Sequence, residues 1–403
     1  MKKILYFDYW TKGINHFHNF DSALKQEEIH TKLFHLGSIF DQAFDKSLQY
    51  ENIKGIDCYD ISFYKKSIYK IIKEEAPDCV IGLNIHTLID RAIIIICDHL
   101  KIPFIFIGHG YYRSEVVPLA IKLNNDSIKR NIIHKLKRNI LFVIPNYLYI
   151  KMKLQKSIIS GIKQVFKSTI NPGKNIMYST YDKDLHASSM LVYSKSCKDF
   201  FLNTRKFPEA MIKIVGNPEH DRMYNKRIAI KPKINYVVYL EEGLVQTGIW
   251  TNIEWYKFIE EINDVCLKNE FRLIIKLHPK TSLIKHQIFF SEKGIEVLED
   301  ADMKDLIENA SCCISHFSST IIYPLIFKIP VVIPWWGKSK EFMKNYPENV
   351  VKYLNSIEEF DSLLKDPKCN MSAVEEYLKF YVGYTNEPAT PKVVNEILNV
   401  IDN

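Results

Sequence analysis

With 403 residues, 47% of them hydrophobic and 25% charged, and only 14 Gly and 16 Pro, the chain is globular in composition and too long for one ordinary core. That composition argues against long stretches of disorder. The formal charge of +7 is unevenly spread, because residues 122–174 hold twelve Lys/Arg against one acid, Asp126, and the remainder is net acidic.

The first element is the strand Ile4–Asp8. Asp8 interrupts the apolar run after Met1-Lys2-Lys3 and no small-residue cleavage site follows, so the start does not read as an export leader. Gly13 sits in the next loop, and Asp21–His30 and Thr31–Phe40 look helical or loop-like. Ser62–Glu75 has helical spacing with a stop at Pro77. The strand Cys79–Asn84, the Ile-rich helix Thr87–Leu100 and the strand Pro103–Gly110 follow. The basic segment 122–174 then intervenes as a helical insertion, before strands at Met190–Ser194 and Ile212–Pro218. Tyr224–Lys233, short and basic with Pro232, is the linker candidate.

A second alternating unit has strands at Tyr236–Leu240, Arg272–Leu277, Gly294–Leu298, Cys312–Ser315 and Pro330–Pro334. Its helices are expected at Ile253–Asn269, Met303–Asn309 and Thr320–Phe327. Strand–helix alternation implies an α/β fold with parallel sheets and right-handed crossovers. The expected domains are 1–223, carrying the basic segment, and 234–390, with a helix in 391–403 crossing back to the first. The pair would face each other across a cleft suited to two substrates. Eight cysteines at irregular spacing read as buried free thiols. No apolar run reaches the roughly 18 residues needed to span a bilayer. The expected location is the cytoplasm, peripheral at the inner face of its membrane if the basic segment docks there.

Two motifs carry the chemistry. Ile274–Leu277 is an apolar strand ending on His278-Pro279-Lys280, and Ser315-His316-Phe317 is a strand end leading into Ser318-Ser319-Thr320 and a helical run. In parallel sheets, ligands lie outside the carboxyl ends of the strands, and a helix N-terminus there favours a phosphate. An imidazole beside hydroxyls at such an end suits the phosphate of a nucleotide leaving group. Ser318 also reads as a plain N-cap, which is compatible with that role. Gly108-His109-Gly110 at a strand tip allows close backbone approach, although a structural His is nearly as good a reading. The general base for a hydroxyl acceptor is expected at Glu242 of Glu241-Glu242-Gly243, with Asp8, Asp21 and Asp90 as rivals. Asp221 reads as a turn cap, and Trp335-Trp336-Gly337 either stacks a ligand ring or packs in the core. The Gly-rich dinucleotide fingerprint and the P-loop are both missing, which argues against a dehydrogenase or kinase. No Asp-x-Asp stands at a strand end, so no metal is expected.

Together these residues resemble bacterial glycosyltransferases of the GT-B type, built of two Rossmann-like domains. They are most similar to the sialyltransferase and polysialyltransferase-like enzymes of capsule and lipopolysaccharide synthesis. Leu277-His278-Pro279-Lys280 matches that group's His-Pro motif, Phe317-Ser318-Ser319-Thr320 its Ser-Ser/Thr motif, and Glu241-Glu242-Gly243 its acid-acid-Gly motif. Leu244-Val245-Gln246-Thr247-Gly248 is a competing alignment for the last, and it would leave the acid missing. Ile107-Gly108-His109-Gly110 and Val215-Gly216-Asn217-Pro218 are similar to a broader set that includes teichoic-acid glycerophosphotransferases and UDP-GlcNAc 2-epimerases.

The resemblance implies an inverting, metal-independent transfer of a nonulosonic acid from a CMP-sugar to a glycan or lipid-linked acceptor. Glu242 would be the base and His278 the catalytic group on the departing phosphate. Pro279, Lys280, Ser318, Ser319, Thr320, Gly108, His109 and Gly110 would bind the donor. No cofactor is implied beyond the nucleotide sugar as substrate. The alternatives are a CDP-glycerol or CDP-ribitol phosphotransferase, a UDP-sugar 2-epimerase, which needs several acids around the sugar where this sequence shows no obvious set, and a non-catalytic assembly subunit. Segment 122–174 mixes bulky apolar residues with cations, the pattern of a helix lying on an anionic leaflet, of a helix pair with a solvated basic face, or of a surface for a polyanionic acceptor. It lacks the aromatic platform of a nucleic-acid binder.

Overall fold

The structure, a computed structural model, describes the chain apart from residues 41–43, 46–47, 111, 113–135, 224–234, 280, 342–343, 386 and 403, and apart from the side chains of 176, 177 and 341. The expected linker 224–233 and residues 122–135 of the basic segment therefore lie outside the described residues. Two compact units form: Met1–Arg222 with Tyr381–Asn403, and Met223–Phe380.

In the first unit the strands are β1 (Lys3–Asp8), β2 (His30–His35), β3 (Tyr50–Ile53), β4 (Ile56–Asp60), β5 (Cys79–Gly82), β6 (Phe104–Ile107), β7 (Ser189–Val192) and β8 (Ile212–Ile214). They lie in the order β3-β4-β2-β1-β5-β6-β7-β8, all parallel except the β3–β4 pair. Alternate residues feed opposite faces. Leu5 and Phe7 join one core, while Ile4 and Tyr6 pack on the other with Phe17 and Phe20 of the helix α1 (Ile14–Gln26).

Thr31–Phe40 corrects the sequence reading, because its first half is strand β2. The mixed pattern His30-Thr31-Lys32-Leu33-Phe34-His35 hides it: Leu33 and Phe34 are buried, whereas Lys32 reaches Glu75 at 3.0 Å and lies over the Tyr59 ring. The chain's end returns to this unit as the helix Thr390–Asp402, whose Val393, Val394 and Ile397 enter the α1 core. Asp221 caps that helix from 168 residues away, accepting from the N–H groups of Ala389 and Thr390 at 2.7 Å each.

In the second unit β9 (Tyr236–Leu240), β10 (Arg272–Lys276), β11 (Glu296–Leu298), β12 (Cys312–Ile314), β13 (Val331–Pro334) and β14 (Lys352–Leu354) form a parallel sheet ordered β11-β10-β9-β12-β13-β14. Val237 and Tyr239 face one core, Val238 and Leu240 the other. In both units the strand order reverses beside the first strand, between β1 and β5 and between β9 and β12. Ligands of doubly wound sheets bind at such a reversal. All eight cysteines are free, and seven are buried. Among the described residues, no helix is long and apolar enough to cross a membrane.

Candidate functional site

At the β9/β12 reversal the three residues Glu241-Glu242-Gly243 organise both motif loops. Glu241 leaves β9 beside β10, and its carboxylate accepts from the His278 N–H at 3.0 Å, the Thr281 hydroxyl at 2.9 Å and the Gly243 N–H at 2.5 Å. Thr281 N–H closes onto the His278 carbonyl at 2.8 Å, so His278–Thr281 is a tight turn clasped to Glu241. Gly243 has φ +68°, and a Cβ there would lie 3.3 Å from His278 Nδ1. Glycine thus supplies both the left-handed backbone and the room for the imidazole.

Glu242 points the other way. Its carboxylate accepts from the Ser315 hydroxyl at 2.5 Å and from the backbone N–H groups of His316, Phe317 and Ser318 at 2.7, 3.0 and 3.1 Å. Three successive N–H groups curled around one anion are a nest. Two expectations bear on this geometry. The strand-end N–H groups after β12 hold the protein's own carboxylate, and the carboxylate expected to act as base is buried and engaged by four donors. Burial raises the Glu242 carboxyl above its ordinary value even against those four bonds. Structurally, Glu242 clasps this loop.

Beyond the nest, Ser318 caps the next turn, its hydroxyl accepting from Thr320 N–H at 3.2 Å and from the Thr320 hydroxyl at 2.9 Å. The turn Ser319–Ile321 runs into a helix of only five residues, Ile322–Ile326. Ser319 and Pro279 are exposed, and Thr320 and His278 half-buried. Lys280 lies outside the described residues. Trp336 packs on Phe258 with centroids 5.8 Å apart, and Trp335 stands edge-on to Tyr353.

His316, between the motif residues, is buried against Tyr239, Trp250 and Phe258, and burial drives its pKa down to about 3. His220 in the first unit is driven to about 4 for the same reason. Their folded pKa values lie below the unfolded value near 6.5. Their contribution to stability is therefore complete above that value and is lost as pH falls. Between pH 7 and pH 5 each should subtract about 2 kcal/mol from its unit. Calorimetry over that range should show both units losing stability, with His316→Phe reducing the loss in the second only.

A different cluster occupies the β1/β5 reversal of the first unit. Asp8, at the end of β1, is held against the Tyr9–Gly13 loop and is pushed up to about 6 by burial, against bonds from the N–H groups of Tyr9, Trp10 and Gly13. A Cβ on Gly13 would come 2.2 Å from Asp8 Oδ2, so only glycine permits this approach. Asn84 Nδ2 stands 3.5 Å from Asp8 Oδ1. His109, at the tip after β6, is half-buried with Nδ1 unpartnered, and the ring of His16 stands edge-on 5.6 Å away. Burial lowers the pKa of both imidazoles, opposed by Glu219 at His16 and by the Leu83 backbone and Asp90 at His109.

The other acids considered as bases have structural duties. Asp21 accepts from Tyr6 at 3.0 Å and pairs with Lys25. Asp90 completes a capping box with Thr87 and binds Tyr9. Gly108 N–H is spent on the Leu191 carbonyl at 2.8 Å. Gly108, His109 and Gly110 thus belong to the first unit, while His278 and Ser318–Thr320 belong to the second. Sequence reasoning missed His16, Asn84, Thr281 and the role of Glu241; of these only the Glu-Glu-Gly triplet left a visible signal. Among the described residues no group of three His, Cys, Asp or Glu is placed to hold a metal.

No protein-family model matches the chain, and no curated protein matches its sequence. Solved structures do match along its whole length. A glycotransferase of kitacinnamycin is 10% identical with a TM-score of 0.53, covering 99% of this chain and 98% of its own. The UDP-GlcNAc 2-epimerase of Neisseria meningitidis bound to UDP-GlcNAc is 14% identical at TM-score 0.54, covering 99% and 100%. A putative UDP-N-acetylglucosamine 2-epimerase from Listeria monocytogenes is 12% identical at 0.54, covering 100% and 97%. The fold is GT-B. In this GT-B chain both strand-order reversals carry ionisable residues, and in the second unit they are bound into a preformed pair of loops.

Proposed function

We propose that the protein is a glycosyltransferase taking its sugar from a nucleotide-linked donor. The observation that carries this reading is the Glu241-Glu242-Gly243 clasp, which fixes His278 and the Ser318–Thr320 turn at one sheet reversal through the protein's own carboxylates. Preorganisation of this kind suits charge that develops on a leaving phosphate. His278 would hydrogen-bond or protonate that phosphate, and the hydroxyls of Ser319 and Thr320 would contact its oxygens.

For the base we propose His109 in place of Glu242. A candidate must reach its proton first and have a suitable pKa second. His109 has a buried, unpartnered Nδ1 at a strand tip, which the acceptor would uncover on binding, and burial with the neighbouring His16 lowers its pKa and favours the neutral ring. The acceptor hydroxyl loses its proton to Nδ1 as its oxygen bonds to the anomeric carbon. The carbon–oxygen bond to the phosphate breaks with inversion, and the electron pair leaves on the nucleotide.

The donor we propose is a CMP-linked nonulosonic acid, on the likeness of the His-Pro and Ser-Ser/Thr motifs, with a cell-surface polysaccharide or lipooligosaccharide as acceptor. The epimerase bound to UDP-GlcNAc supports a uridine donor as the second reading. Thermal unfolding with CMP, CDP, UDP and GDP tests both. At a hundredfold excess over Kd, binding adds about 2.7 kcal/mol. The expected result is stabilisation by cytidine nucleotides alone, abolished by His278→Ala. Stabilisation by UDP alone moves the donor to the second reading. A CDP-glycerol or CDP-ribitol phosphotransferase would share the cytidine response but release CMP without sugar transfer. The absence of any shift would favour a non-catalytic assembly subunit.

A further inference from the structure

The basic segment contains a helix packed inside out. The helix Ile158–Ile170 lies beside the helix Ile144–Gln155, whose Tyr147 and Ile150 are buried in the first unit's core. An amphipathic helix normally buries its large apolar side chains. This one turns Gly161 and Ser168 inward. A Cβ at Gly161 would already lie 3.0 Å from Leu148 and 3.3 Å from Lys151. Val165 packs against the core, but four of its large apolar residues point outward: Ile159 is 81% exposed, Ile162 54%, Phe166 65% and Ile170 68%. At about 100° per residue these four share an arc of roughly 80°. Lys163 and Lys167 lie along one edge of that arc, where their stems can follow the apolar surface with the ammonium groups in water.

Charge decides what covers the stripe. Across residues 136–174 there are eight Lys/Arg and no acid. A second copy meeting the same stripe would bring two such cationic segments together. An anionic lipid surface accepts both the apolar stripe and the flanking cations. We infer that the helix Ile158–Ile170 docks the protein on an anionic bilayer, its axis in the plane of the headgroups. The inference is independent of the transferase reading.

The test is co-sedimentation of the full chain with vesicles of equal parts phosphatidylcholine and phosphatidylglycerol, against phosphatidylcholine alone. Binding to the anionic vesicles should be at least roughly tenfold stronger and should weaken with salt. The outward-facing double substitution Ile159→Ser/Phe166→Ser should reduce it by about tenfold or more while leaving the unfolding temperature unchanged. In the unsubstituted protein, hydrogen exchange in 158–170 should slow when those vesicles are added. No binding to anionic vesicles, binding that leaves 158–170 unprotected, or a dimer broken by the same substitutions without vesicle binding would each overturn the inference.

Discussion

Glu242→Ala should cost roughly 3–5 kcal/mol and collapse the loop after β12, although the residue touches no substrate in our reading. The change strands the Ser315 hydroxyl and three consecutive N–H groups, all held by one carboxylate in the native protein. Buried donors without an acceptor forfeit their full desolvation cost. In thermal unfolding the loss should appear as a fall of roughly 6–20 °C for a unit of this size. Glu242→Gln is the discriminating variant. It keeps one oxygen for the nest and puts an NH2 group against the Phe317 N–H, so it should cost only about 1–3 kcal/mol. If Glu242 were the base, Gln would abolish turnover with little loss of stability. If it is a clasp, Gln should keep substantial turnover and lose stability, and Ala should lose both.

The sheets were legible from sequence because a parallel strand buried on both faces writes its position as an apolar run. Cys79–Gly82, Phe104–Ile107, Tyr236–Leu240 and Arg272–Lys276 all stand where Val- and Ile-rich stretches put them. β2 was illegible for the opposite reason, since its Lys32 and His35 face Glu75, Tyr59 and Asp60, neighbours that only the fold supplies. The start of α1 at Ile14 rather than Asp21 was hidden too, because no capping side chain marks it.

The candidate site divides in the same way. His278 and Ser318–Thr320 stood out because small polar residues at strand ends are informative on their own. The duties of Glu241 and Glu242 depend on donors 37 to 76 residues downstream. A carboxylate doublet in sequence cannot distinguish an anion awaiting a proton from one already bound by backbone. Likewise, the exposed face of Ile158–Ile170 reads in sequence as ordinary amphipathic spacing. Only the inward placement of Gly161 and Ser168 shows that the apolar side faces out.

The acid limb of the pH–rate profile should decide the base. His109 has its pKa lowered from 6.5 because burial disfavours the imidazolium more than the Leu83 backbone and Asp90 favour it. The base form is the neutral ring, so kcat/KM should be flat through pH 7 and fall as pH drops through a value below 6.5. The neighbouring titration that couples to His109 is His16, whose positive charge opposes the imidazolium of His109 and holds the limb low. His16→Asn should therefore shift the limb to higher pH without removing it. Asp8, raised to about 6, would as a base give an acid limb of its own. His109→Ala should lower kcat by roughly 10²–10⁴-fold and abolish the limb. A limb that persists in His109→Ala but vanishes in Asp8→Asn would transfer the base role to Asp8. A twofold loss in both variants would return the search to the other unit, where Glu242 is already committed to its nest and the half-buried His278 is the ionisable side chain standing at the motif turn.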